Sequence, residues 1–478
     1  MTSHSSIQTR KSGDCPHFLG QLTSIFSCDR SCEEDQLMDN KKTVELRRAI
    51  GLPQATAMVV GTIIGASIFV QPSEITGQVH SIKGVFLVWL ISGILTFFGA
   101  LVCAELASIF IQSGGVYVYL KEAFSPSIGF LWGWAMFWSV HSGIIAAISV
   151  IFSRYVSYFL PMSAFAIKVV SISVIVVLSA VNYIGVKHGS TLQTLFTLGK
   201  VVAIVFIILT GFILGSNVPE HFTAGNYAGD TISINSFFLA LIAGLFAFGG
   251  WHMVTYNSEE TINPRKTIPR ALMLGTMIVT FCYIALNAVY MYVLPLDSVA
   301  SSTRIAADAA DALLGFGGGA FMSGLVIFST FGALSGIILC GPRVYYSMAR
   351  DGLLFPWVGE VHPRFRTPHK AVIIQAVWSS VLVATGTYQK LFTRVVYTEW
   401  IFFGLMAIGL FLFRRKPDIV RGYRIWGYPV IPALFIIASF AIAANQVLTD
   451  LRESLFGFSL VLIGLPVYYL WSKKRRGV

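Results

Sequence analysis

Long apolar runs separated by short polar connections dominate this chain. About 20 consecutive apolar residues suffice for a helix to cross the hydrocarbon of a bilayer. Roughly twelve runs reach that length, near 51–74, 84–110, 128–160, 164–186, 191–215, 234–258, 271–294, 318–345, 371–388, 394–413, 427–446 and 455–472. The pattern predicts an all-α membrane protein. Two runs are interrupted by glycine where a membrane helix should be most regular. They are Met58-Val-Val-Gly-Thr-Ile-Ile-Gly-Ala-Ser-Ile-Phe-Val70 in the first and Ala240-Leu-Ile-Ala-Gly-Leu-Phe-Ala-Phe-Gly-Gly-Trp-His252 in the sixth. In lipid every freed backbone N–H and C=O needs a partner, so a helix unwinds at membrane depth only where protein or ligand receives those groups. Breaks at corresponding places in two halves of a chain point to a transporter's binding site.

Composition agrees with the pattern. Mean hydropathy is +0.71, with 55% hydrophobic and 12% charged residues, outside the range of soluble globular domains. The net charge of +11 could suggest nucleic acid, but its distribution argues for topology instead. Lys and Arg cluster in alternate connections: Lys41 to Arg48, Arg265 to Arg270, Arg343 to Lys370, Arg414 to Arg424 and Lys473 to Arg476. Residues 216–233, by contrast, hold Glu220 and Asp230 and no Lys or Arg. The positive-inside rule then puts both termini in the cytoplasm. This divides the chain into a disordered cytoplasmic tail (1–48), a transmembrane domain (49–472) and a basic cytoplasmic tail (473–478) that anchors on the membrane surface. A multi-pass protein of the plasma membrane is expected, with span 1 as its insertion signal, because no short apolar run with a cleavage site precedes it. Cys15, Cys28 and Cys32 fall in the tail and Cys103, Cys282 and Cys340 inside spans, so no structural disulfide is expected. Cys28 and Cys32 lack a second ligand pair, and neither a metal nor a cofactor is expected.

Several motifs resemble one family. Gly65-Ala-Ser-Ile-Phe69 is similar to the signature in the first helix of the amino acid–polyamine–organocation superfamily. Phe246-Ala-Phe-Gly-Gly-Trp-His252, followed by Ser258-Glu-Glu-Thr-Ile-Asn-Pro264, resembles a run of its L-type amino acid transporters, the light-chain type of solute carrier family 7. Ala104-Glu105-Leu106, Ser113 to Tyr119, Phe196-Thr-Leu-Gly-Lys200 and Pro342 to Gly352 match in order and at family spacing. The resemblance implies the fold of the bacterial leucine transporter: about 12 transmembrane helices, a 5+5 inverted repeat over spans 1–5 and 6–10, helices 1 and 6 unwound, and alternating access. It also implies an amino acid as cargo, exchanged one-for-one without sodium.

A zwitterionic amino acid needs two complementary poles. Freed N–H groups at the start of a half-helix suit a carboxylate, and the first break offers those of Ala66, Ser67 and Ile68, the Ser67 hydroxyl, and Gly65 beside them. By the resemblance, the carbonyls of Ile63, Phe246 and Gly249 take the amino group. The same glycines would also serve close helix packing. The chain departs from the family pattern at Ala66-Ser67, where the hydroxyl has moved by one position, and at His252, where the family has Asn. His252 would read an unusual side chain, titrate or hydrogen-bond a loop carbonyl. Lys200 lies in the apolar run 195–210, and a charge at that depth faces a cavity and a partner or snorkels to the interface. The resemblance assigns it the place of a sodium ion, holding carbonyls of the unwound first helix. Phe246 is the candidate gate, with lipid-facing packing the alternative. Glu105 and Glu259-Glu260 are expected to brace helices, and His141 to be a satisfied core histidine. Arg350-Asp351-Gly352 with Arg265 to Arg270 would form an inner gate or a solvated basic face.

Two functions from different classes remain: a secondary amino acid exchanger, and a transport-inactive sensor or scaffold subunit of the same fold. An ion channel would want rings of charge or carbonyl filters, and an enzyme a nucleophile–base pair; neither stands out. Animal members of the family often pair with a heavy chain through a cysteine outside spans 3 and 4. Residues 155–168 hold none, so a disulfide-linked heavy chain is not expected, while non-covalent association stays open.

Overall fold

The computed structural model describes residues 48, 50–112, 114–184, 189–215, 233–315, 317–365 and 367–476; at 189–198, 343, 347 and 473–476 it describes the backbone alone. The expected tail 1–48 (save Arg48), its cysteines, the acidic connection with Glu220 and Asp230, and the side chains of the basic C-terminal run lie outside the described residues.

The first run forms α1 (Leu52–Ile63), a short 3-10 turn (Ser67–Phe69) and α2 (Gln71–Val79). Next come α3 (Ile82–Ile109), α4 (Val116–Ala123), α5 (Pro126–Phe159), α6 (Ala164–Ile184) and α7 (Gly189–Leu214). The second broken run is α8 (Ile234–Ala247) followed by a 3-10 stretch (Trp251–Glu260). The chain continues as α9 (Pro264–Val293), α10 (Leu296–Ser301), α11 (Ile305–Leu314), α12 (Gly318–Arg350), α13 (His369–Thr385), α14 (Tyr388–Arg414), α15 (Val430–Thr449), α16 (Leu451–Leu462) and α17 (Gly464–Arg476). Among the described residues nine helices are long and apolar enough to cross a membrane.

The apolar runs and the helices coincide, and the differences are local. α9 begins at Pro264 rather than 271, and α12 runs to Arg350 rather than 345. Hydropathy sees only the apolar part of a helix, whereas Pro at the first turn and basic residues beyond the hydrocarbon extend it. The last run is divided at Ile463. α4, α10 and α11 lie in connections and were invisible to a search for apolar runs. α5 carries a π-helical stretch, Met136–His141, in which the Ser142 hydroxyl donates to the Phe137 carbonyl at 2.7 Å.

α9 packs along both α1 and α3, while α8 packs on α2 and α3. α12 packs against α5 and α7. The two broken segments are therefore surrounded by helices, and Ala66, Ile68, Phe69 and Ala247 are wholly buried. At one end Ile50 pairs with Thr261: the Ile50 N–H donates to Glu260 O at 3.0 Å and the Ile262 N–H to Ile50 O at 2.9 Å. That bridge ties the entry of α1 to the exit of the second broken segment.

Candidate functional site

The first break opens because α1 stops at Ile63 and Ile64 leaves helical geometry (φ −67°, ψ 79°). The Gly65 N–H donates to Ile63 O at 2.6 Å, and the helical ladder resumes with Phe69 N–H to Ala66 O (3.2 Å) and Val70 N–H to Ser67 O (3.0 Å). Among the described residues this leaves the N–H groups of Ala66, Ser67 and Ile68 without a backbone acceptor. Such donors at the start of a half-helix form an anion-seeking cluster.

The second break follows Ala247. The Gly249 N–H turns back to Phe246 O at 3.0 Å, and Met253 N–H donates to Gly250 O at 3.0 Å. Gly250 sits at φ +91°, and a Cβ there would come within 3.0 Å of the Thr62 carbonyl. The backbones of the two broken segments thus meet at Gly250 and Thr62, and only a residue without a side chain fits. Gly65 differs: its φ is not left-handed, and the nearest atom to an added Cβ is 3.7 Å away.

Tyr283, in α9, bridges the breaks. Its hydroxyl lies 3.0 Å from Ile63 O and 3.0 Å from Ala247 O, the ends of the half-helices that precede each break. Ile63 O therefore already receives two donors and Phe246 O one, whereas Gly249 O receives no backbone N–H among the described residues. The motif search missed Tyr283. Its signal was a phenol inside an apolar run, since a buried Tyr O–H needs an acceptor and in a membrane the spare carbonyls are those of broken helices.

Lys200 is 1% exposed, and its ammonium donates to Gly61 O at 3.2 Å, two residues before the end of α1. It reaches a carbonyl of the broken segment and does not snorkel. The rest of its motif, Phe196 to Leu198, has no described side chains.

Phe246 is 7% exposed, with its ring 5.5 Å from Phe392 of α14. The Phe392 ring lies in turn 5.3 Å from that of Tyr388, tilted by 58°. The Tyr388 hydroxyl accepts from Gln71 Nε2 at 3.1 Å, and the Arg154 guanidinium lies 4.6 Å from the Tyr388 ring. Glu74 stands 4.0 Å from Arg154. These contacts join α2, α5, α8 and α14. Tyr155 ties the first broken segment to α11, donating to Phe69 O at 2.7 Å and accepting from Ala306 N–H at 3.4 Å.

His252 is fully buried, one turn beyond the second break. Its Nε2 lies 3.1 Å from the Tyr256 hydroxyl, and its ring packs against Trp132, Trp251 and Phe403. Among the described residues its hydrogen-bond partner is this side chain and not a loop carbonyl. His141 is also fully buried, but neither ring nitrogen has a hydrogen-bond partner among the described residues; the satisfied core histidine expected from the sequence is not found.

Glu105 is a brace. Its wholly buried carboxylate accepts from Arg414 Nε at 2.7 Å, from Arg414 Nη2 at 2.5 Å and from the Ile425 N–H at 2.9 Å. Asp351 accepts from the Tyr117 hydroxyl at 2.6 Å and lies 3.6 Å from Lys121, so it joins α12 to α4. Burial, followed by the hydrogen bond to Asp351 and then its charge, pushes the Tyr117 phenol up from its ordinary range. Among the described residues no group of His, Cys, Asp and Glu could hold a metal.

Comparison with known proteins agrees with the architecture. The amino acid permease family model matches residues 50–465. The serine/threonine exchanger SteT of Bacillus subtilis is 33% identical over 90% of this chain and 98% of its own length. The human cystine/glutamate transporter is 31% identical over 91% of this chain and 88% of its own. For the human b(0,+)-type amino acid transporter 1 the figures are 29%, 94% and 93%. This chain is an integral, multi-pass membrane protein that belongs to the amino acid permease family of the amino acid–polyamine–organocation superfamily.

Proposed function

We propose that the protein is a secondary transporter that exchanges amino acids across the membrane by alternating access, without sodium. The observation that carries this reading is the Lys200 ammonium, buried and bonded to Gly61 O beside the first break. A fixed cation there neutralises the carbonyl end of the broken segment in a low-dielectric interior, where a bound sodium ion would otherwise be needed. The exchangers among its relatives support the transport mode.

In this reading the substrate carboxylate sits on the N–H groups of Ala66, Ser67 and Ile68, with the Ser67 hydroxyl and Gly65 beside them. The ammonium takes Gly249 O, with Ile63 O and Phe246 O available once Tyr283 and Gly249 release them. Phe246 gates from the α2 side, and the substrate side chain points toward the region of His252. Twelve crossings in two inverted sets of five plus two further helices complete the proposal. Among the described residues, nine long apolar helices and three shorter ones (Leu52–Ile63, Gly199–Leu214 and His369–Thr385) support that count. Both termini face the cytoplasm, in the plasma membrane. Any heavy-chain partner would associate without a disulfide, since residues 155–168 lack cysteine.

The test is uptake of a panel of labelled amino acids into liposomes holding the purified protein, with and without sodium and internal amino acid. Uptake that needs internal amino acid and ignores sodium is expected. Strict sodium dependence would overturn the role of Lys200, and silence across the panel would favour the sensor or scaffold reading.

A further inference from the structure

Glu399 of α14 carries a carboxyl that the proposed exchange has not used. It is 4% exposed, and its Oε1 has no hydrogen-bond partner among the described residues. His141 is a second buried group of this kind. It closes the π-helical stretch of α5, a local distortion that recurs at functional sites, and neither of its ring nitrogens is bonded among the described residues. Gly341 of α12 leaves room beside it. A Cβ there would come within 3.1 Å of His141 Nδ1 and would collide with Gln375 Oε1, which is also unbonded among the described residues.

Packing sets these groups at one level, beside the second break. α5 and α14 meet where Ser139 Oγ lies 3.2 Å from Thr398 Oγ1. Glu399 follows Phe392 by seven residues and precedes Phe403 by four, so the three share a face of α14. Phe392 packs on Phe246, while the Phe403 ring lies 5.0 Å from both Trp251 and His252. The carboxyl therefore stands between the candidate gate and the segment beyond the second break. Glu399 is within electrostatic reach of Tyr256, and His141 of His252.

A carboxylate in a dry interior is costly unless a cation joins it. The buried ammonium of Lys200 is already bonded to Gly61 O. A substrate side chain that ends in a positive charge with several N–H donors would supply what Glu399 lacks. An aliphatic side chain would leave it unpaired, and an acidic one would meet like charge.

We propose that Glu399 is a specificity-determining residue that receives the cationic end of a basic amino acid, with His141 and Gln375 as further acceptors. This rests on the reading that places the substrate backbone at the two breaks.

The test is binding to the full-length protein in detergent, read as the ligand-dependent shift in unfolding temperature, for lysine and for norleucine, its uncharged counterpart of similar shape. Lysine should bind about tenfold more tightly or better. Glu399→Gln should abolish most of that preference, and Glu399→Asp should retain part of it. Equal binding of lysine and norleucine by the wild-type protein would overturn the proposal, whatever the variants do. So would a Glu399→Gln protein that binds both more weakly with their ratio intact, the outcome for a merely structural carboxyl. Liposome exchange with internal lysine separates this proposal from the transport reading. Lysine-selective binding without exchange would support the role of Glu399 and sink the exchanger, whereas failure of every amino acid to bind would overturn both.

Discussion

The Tyr283 hydroxyl lies 3.0 Å from the carbonyl oxygen of Ile63, and at the same distance from that of Ala247. One phenol therefore serves the last carbonyls of both half-helices. A single proton shared between two acceptors in a dry interior makes the pair of breaks one unit, not two independent irregularities.

Tyr283→Phe removes that proton and takes the side-chain donor from Ala247 O, while Ile63 O keeps the Gly65 N–H. Unsatisfied buried groups cost about 1–3 kcal/mol. A lower unfolding temperature and an exchange rate reduced about tenfold are expected, read by thermal denaturation and liposome exchange. Wild-type values for both would show that the shared bond is dispensable.

Lys200→Ala takes away the buried cation bonded to Gly61 O. Exchange should be lost while membrane insertion and detergent-soluble yield stay unchanged. Transport at the normal rate would refute a coupling role for this residue.

Gly65→Ala and Gly250→Ala separate binding from folding. Gly250 has φ +91° and the Thr62 carbonyl 3.0 Å from a future Cβ, so its substitution should destabilise by about 1–3 kcal/mol and reduce the folded yield. Gly65 has room for a methyl group, and its variant should fold normally. If the N–H cluster holds the carboxylate, Gly65→Ala should still weaken substrate binding several-fold. Unaltered affinity for every substrate would move the carboxylate site elsewhere.

Glu105→Gln removes the charge of a wholly buried carboxylate whose partner Arg414 is 19% exposed. Because the Arg414 guanidinium still reaches solvent, the cost is that of lost charge-assisted hydrogen bonds, about 1.5–3 kcal/mol. A large drop in thermal stability is expected, together with faster proteolysis at 415–429, which the Ile425 N–H tethers to Glu105. A cut rate equal to wild type would show that the connection is held by other contacts.

The spans were legible because a bilayer imposes one rule on every crossing: some twenty apolar residues with their backbone bonds closed internally. α3 was expected at 84–110 and found at Ile82–Ile109; α14, expected at 394–413, starts earlier, at Tyr388, because its first turns are polar. Connection helices such as α11 gave no signal, as an eight- to ten-residue helix is held by what it packs on, here Tyr155 through Ala306. His141 gave a misleading one: its type and setting suggested a paired core residue, and among the described residues no hydrogen-bond partner reaches it.

The apolar pattern and its glycine interruptions determined by themselves that this is a helical membrane protein with two broken segments, since hydrophobic length and backbone satisfaction are local properties of a chain in lipid. Only the tertiary structure decided that the breaks share Tyr283, that Gly250 rests on Thr62, and that Lys200 reaches Gly61. Those contacts join residues far apart in the chain. They depend on how α1, α7, α8 and α9 pack, which no local pattern encodes.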